Sequence, residues 1–448
     1  MNLPASFIDY TRALLGNEEY EKLAVALQQE PPVSIRLNEK LGALSQNAGA
    51  AHSSFFIHHS SLNKVLWASD GYYLDERLTF TFDPLFHAGC YYVQEASSMF
   101  VEQVLRQYVN APVMMLDLCA APGGKSTHAR SVLPEGSLLV ANEVIRNRSQ
   151  VLAENLTKWG HPDVVVTNND PADFSALSSF FDVILTDVPC SGEGMFRKDP
   201  VAVEEWSPEN VEICWQRQRR IIADIWPCLK PGGILIYSTC TYNTKENEEN
   251  IRWIRDEFGA EVLPLDVAEE WNITGNLLQG EAFPVYRFLP HKTQGEGFFL
   301  AVLRKPGMSV RNSGDKQLVS LAIAPETPGL RVEKSREKGR KVQGKGKQTP
   351  GLSKEQLAIL QKWIFTADKY EFIQKGGNVS AFPKCYIPEL SALQSSLRIV
   401  QAGLEIAGQK GKDWIPCHAL AVSGILVSDA FPCEEISYEQ AIVYLRKE

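Results

Sequence analysis

The sequence predicts an α/β protein: a parallel sheet covered on both faces, with a small α+β module before it and a third region after it. Three observations carry this. Residues 113–117, 137–143, 163–167, 181–187 and 233–239 are continuous apolar runs, as strands buried on both faces require. Segments of helical spacing separate them. A glycine-rich loop joins the first run to the helix that follows, the usual entry of a ligand-binding α/β sheet.

Taken in order, residues 7–28 have helical spacing, with Tyr10, Leu14, Leu15, Leu23 and Leu27 on one side, and Pro31-Pro32 stops them. Residues 33–37 alternate like a strand, so residues 1–90 read as a small module. Residues 91–305 form the sheet domain. It opens with a helix over 94–109, and a second helix starts at Ser126 after the glycine loop. Before the fifth strand, Ser207 caps a helix, Pro208 fits its first turn and residues 230–233 end it. Residues 298–303 give a later strand, expected at the sheet's other end. Residues 306–352 read as a linker, apart from an apolar stretch at 318–324. Within it residues 331–347 carry eight Lys/Arg against two Glu. Residues 353–448 form the third region, opened by a helix that Ser353 caps with Gln356 at its third position.

The formal charge of −9 argues mildly against a protein that coats nucleic acid, yet binding follows local patches. No run approaches the ~18 apolar residues of a membrane span. The N-terminus lacks a basic start, so the expected compartment is the cytoplasm. The odd count of nine cysteines forms no C-x-x-C pair and no zinc-spaced cluster; no metal is expected.

Asp117-Leu118-Cys119-Ala120-Ala121-Pro122-Gly123-Gly124-Lys125 joins strand to helix. Small residues and two glycines let a ligand approach the backbone, and the helix start offers amides. Glu143, ending the next strand, has the position of a ribose-binding carboxylate. Asp170 and Asp187 follow or end strands three and four. Four acids at one sheet edge disfavour phosphates and favour a cationic or uncharged nucleoside such as S-adenosylmethionine. For any single acid, a solvated surface carboxylate is an equally good reading.

Cys190 follows strand four and Cys240 follows strand five, so both thiols come to the same edge, in loops. Asn243 and Glu246 suggest a capped helix starting three residues after Cys240, whose N-terminus would support a thiolate. A methyl donor beside a thiolate suits one reaction in particular. Carbon 5 of a pyrimidine is too weak a nucleophile to take a methyl group; thiolate attack at carbon 6 makes it nucleophilic, an acid at the base edge lowers the barrier, and loss of the carbon-5 proton frees the enzyme. For Cys90, Cys214, Cys228, Cys385, Cys417 and Cys433, packing is the better reading.

The 117–125 loop, Asp187-Val188-Pro189-Cys190-Ser191-Gly192-Glu193-Gly194 and Ser238-Thr239-Cys240-Thr241-Tyr242 resemble the Nol/Nop/Sun family of RNA 5-methylcytosine methyltransferases, in its bacterial small-subunit ribosomal RNA branch. Residues 94–98 and 295–299 look like further family blocks. The resemblance implies a Rossmann-like class I methyltransferase core, an N-terminal RNA-contacting module and a C-terminal PUA-like domain. It implies S-adenosyl-L-methionine held by Cys119, Ala120, Ala121, Pro122, Gly123, Gly124 and Lys125 with Glu143, Asp170 and Asp187. It makes Cys240 the nucleophile and Cys190 the group assisting product release, with Asp187 at the base edge and Lys125 organising the pocket. The implied partner is RNA, above all 16S ribosomal RNA or the 30S particle, with no membrane and no identifiable protein partner. Transfer RNA as substrate, or a non-catalytic assembly factor on the same fold, are the rival readings; a small-molecule methyltransferase is disfavoured by the extra domains and paired thiols. Arg146, Arg148, Arg197, Lys198, Arg217, Arg219 and Arg220 lie among the motifs and are each more simply solvated charges than phosphate contacts.

Overall fold

The computed structural model describes residues 2–38, 63–307 and 352–446. The apolar stretch 318–324 and the basic run 331–347 lie outside the described residues.

The helix expected over 7–28 is two helices, α1 (Ala5–Leu15) and α2 (Asn17–Leu27), because Gly16 between them takes φ +82°, a left-handed value natural only to glycine. Strands β1 (Val33–Leu37), β2 (Gly71–Leu74) and β3 (Tyr91–Val93) form an antiparallel sheet in the order β2-β1-β3. The apolar face of α1 and α2 packs away from that sheet. Phe7, Leu23 and Leu27 bury themselves against Phe196, Trp206, Tyr242 and Leu289 of the sheet domain. Arg36 of β1 is buried, stacks over Trp159 and donates to Gln94 Oε1 at 2.8 Å and Thr127 Oγ1 at 2.6 Å. The first module is thus fastened to the second by both apolar and polar contacts.

The helix expected over 94–109 starts later. A 3-10 turn at Ser97–Phe100 leads into α3 (Val101–Tyr108), because the Glu95 carboxylate takes the amides of Ser97 and Ser98. After it come β4 (Met114–Asp117), α4 (Gly124–Val132), β5 (Leu138–Asn142), α5 (Arg146–Trp159), β6 (Val164–Thr167), β7 (Phe181–Asp187), α6 (Pro208–Ile225) and β8 (Leu229–Thr239). The five strands are parallel, in the order β8-β7-β4-β5-β6. Their continuous apolar runs follow from burial on both faces. Met115, Leu139, Val166 and Ile236 feed one core with α3, α4 and α5. Leu116, Val140, Val165 and Leu235 feed the other with α6 and the next helix, α7 (Glu248–Phe258). Ser207 caps α6 through the Asn210 amide, but the helix ends at Ile225, well before residues 230–233, which lie in β8.

Beyond α7, β9 (Glu261–Leu263), β10 (Tyr286–Phe288) and β11 (Phe298–Arg304) complete this side of the sheet. The late strand β11 is not at the far end. It runs antiparallel beside β8, with β9 and β10 outside it.

The third region opens with α8 (Lys354–Gln361), where Ser353 and Gln356 form the expected capping box. Strands β12 (Tyr370–Lys375) and β13 (Asn378–Pro383), helix α9 (Ile387–Ser396), strands β14 (Ile399–Ala402), β15 (Leu404–Lys410) and β16 (Asp413–Pro416), and helix α10 (Tyr438–Arg446) follow. A four-stranded antiparallel sheet has the order β12-β13-β15-β16. β14 leaves it and pairs antiparallel with β6. Leu390 and Leu393 of α9 enter the second core, where each buried leucine contributes about 1.5–3 kcal/mol. The third region therefore covers an edge and part of a face of the central sheet. Among the described residues, no helix is long and apolar enough to cross a membrane.

Candidate active site

The carboxyl ends of β4, β7 and β8 meet the 91–98 segment and the start of β11 around a cleft of about 390 Å³. Cys119, Ala120, Ala121, Pro122, Gly124, Lys125, Asp187 and Cys240 line it together with Asp117. The loop is fixed by its neighbours: Leu118 N–H donates to Leu185 O at 2.9 Å and Ala120 N–H to Asn142 O at 2.8 Å. Gly123, at φ +113°, turns the chain into α4, which begins at Gly124, two residues before the expected Ser126. Gly123 backs onto Leu152 and lies outside the lining.

Of the four acids singled out from sequence, Asp117, Glu143 and Asp187 surround Cys119 and Asp170 stands apart. Asp117 is fully buried and accepts from Ser126 Oγ at 2.6 Å; burial pushes its carboxyl up to about 7. Asp187 lines the cleft. Glu143 is buried beside it, outside the lining, accepting the Ile145 amide at 2.8 Å with Arg148 at 3.5 Å. Asp170 is half exposed, caps the 3-10 turn Pro171–Ala176 through the Ala172 amide, and pairs with Arg220 at 3.2 Å, also outside the lining. Its partial burial works against the charge, but the Ala172 amide and Arg220 outweigh it and hold the carboxyl low.

Lys125 Nζ donates to Asp187 Oδ2 at 2.8 Å and sits 5.3 Å from the Phe298 ring. Ser238 Oγ donates to the other Asp187 oxygen at 2.8 Å. Burial opposes the Lys125 charge, yet Asp187 more than offsets it and the ammonium is held above its ordinary range. The cleft therefore contains an oriented carboxylate with a cation beside it.

Cys190 and Cys240 come together, sulfur to sulfur at 3.2 Å, and the Cys240 amide donates to Cys190 Sγ at 3.4 Å. The Cys190 thiol is pushed well up by its bond with Cys240 and by burial. Cys119 is likewise pushed up, by burial and then by the surrounding carboxylates. Gly194 makes the contact between the loops possible. Its amide donates to Cys240 O at 2.7 Å, and a Cβ there would stand 2.6 Å from Gly297 O and 2.8 Å from Cys240 O. The helix expected three residues after Cys240 does not form. Residues 243–247 turn instead, with Asn243 Oδ1 accepting the Glu246 amide, and α7 starts at Glu248. Lys125 and Lys198 share the cleft with Cys240, and the helix that follows the thiol in sequence begins only at Glu248.

Several groups on the cleft were not singled out individually from sequence: Tyr92, Glu95, Glu296 and Phe298; Lys198, read as a solvated charge, also lines it, 3.8 Å from Glu296. The 94–98 and 295–299 blocks were the available signal for most of them. Arg197 is no solvated charge. It is buried, donates to Glu296 Oε2 at 2.9 Å and also to Gly295 O, and so anchors the cleft wall. Arg219 lies over the Trp215 and Trp253 rings, and Arg148 donates to Ala121 O at 2.8 Å. Cys90, Cys214 and Cys228 are buried as packing requires; Cys385 and Cys433 are exposed and Cys417 is half-buried, because their loops lie on the surface of the third region.

Comparison with known proteins agrees with this architecture. Residues 105–304 match the 16S rRNA methyltransferase RsmB/F family, and residues 3–96 match the N-terminal domain of 16S rRNA methyltransferase RsmF. The chain is 31% identical to the ribosomal RNA small subunit methyltransferase F of Salmonella agona, over 99% of this chain and 87% of that protein. It is 36% identical to the protein of the same name from Pectobacterium atrosepticum, over 68% of this chain; the matched chain spans 63% of that relative's length. Among solved structures, a methyltransferase homologue from Pyrococcus horikoshii is similar, with 28% identity and a TM-score of 0.53 over 68% of this chain and all of that one. PH0851 has the same fold, at a TM-score of 0.58, 24% identity, and coverage of 68% of this chain and 66% of that one. The central domain is thus a Rossmann-like methyltransferase fold with a mixed sheet, and the chain belongs to the family of the ribosomal RNA small subunit methyltransferases F.

Proposed function

We propose that this chain methylates carbon 5 of a cytosine in 16S ribosomal RNA, through a transient bond between Cys240 and carbon 6 of the base. The observation that carries the reading is the pair of thiols 3.2 Å apart, Cys240 lining the same cleft as the Lys125–Asp187 pair and the 119–125 loop.

The cleft suits S-adenosyl-L-methionine. Its floor is made of small residues, its volume falls in the usual range for such ligands, and its carboxylates favour a cationic donor. Cys119 to Lys125 would hold it with Asp187; Glu143 and Asp170 stand further out and would take part through the loops they fix. When bound, the donor supplies an activated methyl group. The chain's residues do the rest. Cys240, as thiolate, adds to carbon 6, and Asp187 accepts from the exocyclic amino group at the polar edge of the ring. Lys125 keeps Asp187 oriented. Once the Cys240 sulfur is bonded to carbon, the neighbour that held the Cys190 proton in place no longer carries charge. Cys190 then becomes the easier thiol to ionise. Carbon 5 bonds the methyl group; Cys190, having given its own proton to solvent, then takes the carbon-5 proton as thiolate, the electron pair of that C–H bond restores the 5,6 double bond, and Cys240 leaves as thiolate.

Residues 1–90 are read as an RNA-contacting module, 91–305 as the methyltransferase domain, 306–352 as a basic linker and 353–448 as a PUA-like RNA-binding domain in a cytoplasmic enzyme. The four-stranded antiparallel sheet supports the last of these. A cytosine flipped from, or already unpaired in, the small subunit would enter the cleft. Incubating the chain with methyl-labelled donor and either 16S ribosomal RNA, 30S particles or transfer RNA tests the reading. Label at carbon 5 of cytosine in the first two supports it; label confined to transfer RNA, or none, overturns it.

A further inference from the structure

Two buried carboxylates that the reaction does not consume tie the two cysteine loops together crosswise. Glu193 lies three residues after Cys190, yet its Oε2 accepts the backbone amides of Tyr242 at 2.6 Å and Asn243 at 3.0 Å, in the loop of Cys240. Glu246 lies six residues after Cys240, yet it accepts the Ser191 amide at 2.9 Å and the Ser191 hydroxyl at 2.5 Å, in the loop of Cys190. Asn243 Nδ2 sits between them, 3.0 Å from Glu193 and 2.7 Å from Glu246. Trp206 Nε1 and Gln218 Nε2 supply the outer bonds, to Glu193 and Glu246 respectively. Both carboxylates are essentially inaccessible to solvent.

We propose that Glu193 and Glu246 are positioning residues forming a reciprocal clasp, each carried by one thiol's loop and holding the backbone of the other's, so that Cys190 and Cys240 keep the spacing that carbon-6 attack and carbon-5 proton removal require. The catalytic part of this rests on the methyltransferase reading; the geometric part does not. A buried carboxylate with a full set of donors is the arrangement that fixes a loop, since releasing it would strand several unpaired groups at once. The two ends differ. At Glu246, Oε2 takes only side-chain donors, the Ser191 hydroxyl and Asn243 Nδ2, and the hydroxyl can turn to accept from an amide; burial and the nearby Glu193 also push this carboxyl up to about 7. At Glu193 one oxygen takes two backbone N–H groups and the other takes the Trp206 indole N–H, none of which can reverse its role, so an amide nitrogen on either side would face a fixed donor.

The test uses the full chain and two readouts. In the first, the azo oxidant diamide converts the Cys190 and Cys240 thiols to a disulfide, the azo group taking up both hydrogens to become a hydrazine; mapping by mass spectrometry gives the rate. In the second, kcat and KM for RNA are measured. Glu193→Ala and Glu246→Ala are expected to slow formation of the Cys190–Cys240 bond and to lower kcat, each by about tenfold or more, with KM for RNA little changed. Glu246→Gln should retain more of both than Glu193→Gln. Oxidation and kcat within twofold of the intact chain in both alanine variants would overturn the clasp. Should the alanine variants fail to fold, Glu246→Gln, the mildest change, carries the same test against Glu193→Gln, and equal behaviour of the two at the intact rate overturns it. Slowed oxidation in a chain that methylates no RNA in any form would support the clasp and overturn the methyltransferase reading instead.

Discussion

Replacing Gly194 by alanine tests the packing of the two thiol loops most directly. The new Cβ would lie 2.6 Å from Gly297 O, 2.8 Å from Cys240 O and 3.0 Å from Gly297 Cα, all backbone atoms. Ordinary carbon–oxygen contact needs more than half an ångström beyond this, and backbone cannot swing aside as a flexible side chain does. Either Cys240 or Gly297 must move, and the bond from the Gly194 amide to Cys240 O moves with it. Overpacking of this kind costs about 1–3 kcal/mol. A displacement of that size at a reacting sulfur lowers turnover by roughly ten- to a hundredfold. The assay is a pair: thermal unfolding of the Gly194→Ala chain, and its rate of methyl transfer to 16S ribosomal RNA. A lowered midpoint with reduced kcat is expected. An unchanged midpoint with full activity would mean that the loops do not approach as described.

Cys240→Ser should abolish methyl transfer, whereas Cys190→Ala should accumulate an RNA–protein adduct resistant to denaturation; turnover surviving in the first, or normal turnover without adduct in the second, refutes the assigned roles. Asp117 should make stability fall as pH rises. Its folded pKa, about 7, lies above that of the unfolded chain, so its unfavourable contribution is absent below about pH 4, grows between pH 4 and 7 and then levels off. Asp117→Asn should flatten that slope in urea titrations, and an unaltered slope counts against the burial argument. Arg287 and Glu248 form a fully buried ion pair under the Cys240 loop, with Arg287 also donating to Tyr242 O. Glu248→Ala should therefore destabilise by about 3–5 kcal/mol, and Arg287→Met added to Glu248→Leu should recover much of it; a loss below about 1 kcal/mol, read by chemical denaturation, would show the pair to be dispensable. Removing residues 352–446 should uncover the β6 edge that β14 now pairs, so residues 1–307 alone should aggregate in light scattering.

Local chemistry was enough, without the fold, to place the strands and much of the site. Apolar runs such as 137–143 and 181–187 have no polar face, so burial on both sides was the consistent reading, and Ser207 and Ser353 announced their helices by the bonds their hydroxyls make. The loop 117–125 and the two cysteines after strands four and five were legible for the same reason: parallel strands deliver their carboxyl ends to one edge. What a residue does once there depends on partners distant in the chain. Asp170 was drawn off to Arg220, and Arg197 was drawn inward to Glu296. The capping bond at Asn243 forms, its Oδ1 accepting the Glu246 amide, but the box does not close, because the Glu246 carboxylate is drawn off to Ser191 and Glu193 holds the Asn243 backbone N–H. β14 completes a sheet by pairing with β6, more than two hundred residues earlier. Periodicity and capping act over a few residues, which is enough to set the strands, the loop and the edge on which the thiols lie. Pairings across the chain are settled by which buried charges and open strand edges find partners when the domains close, and no local pattern encodes them.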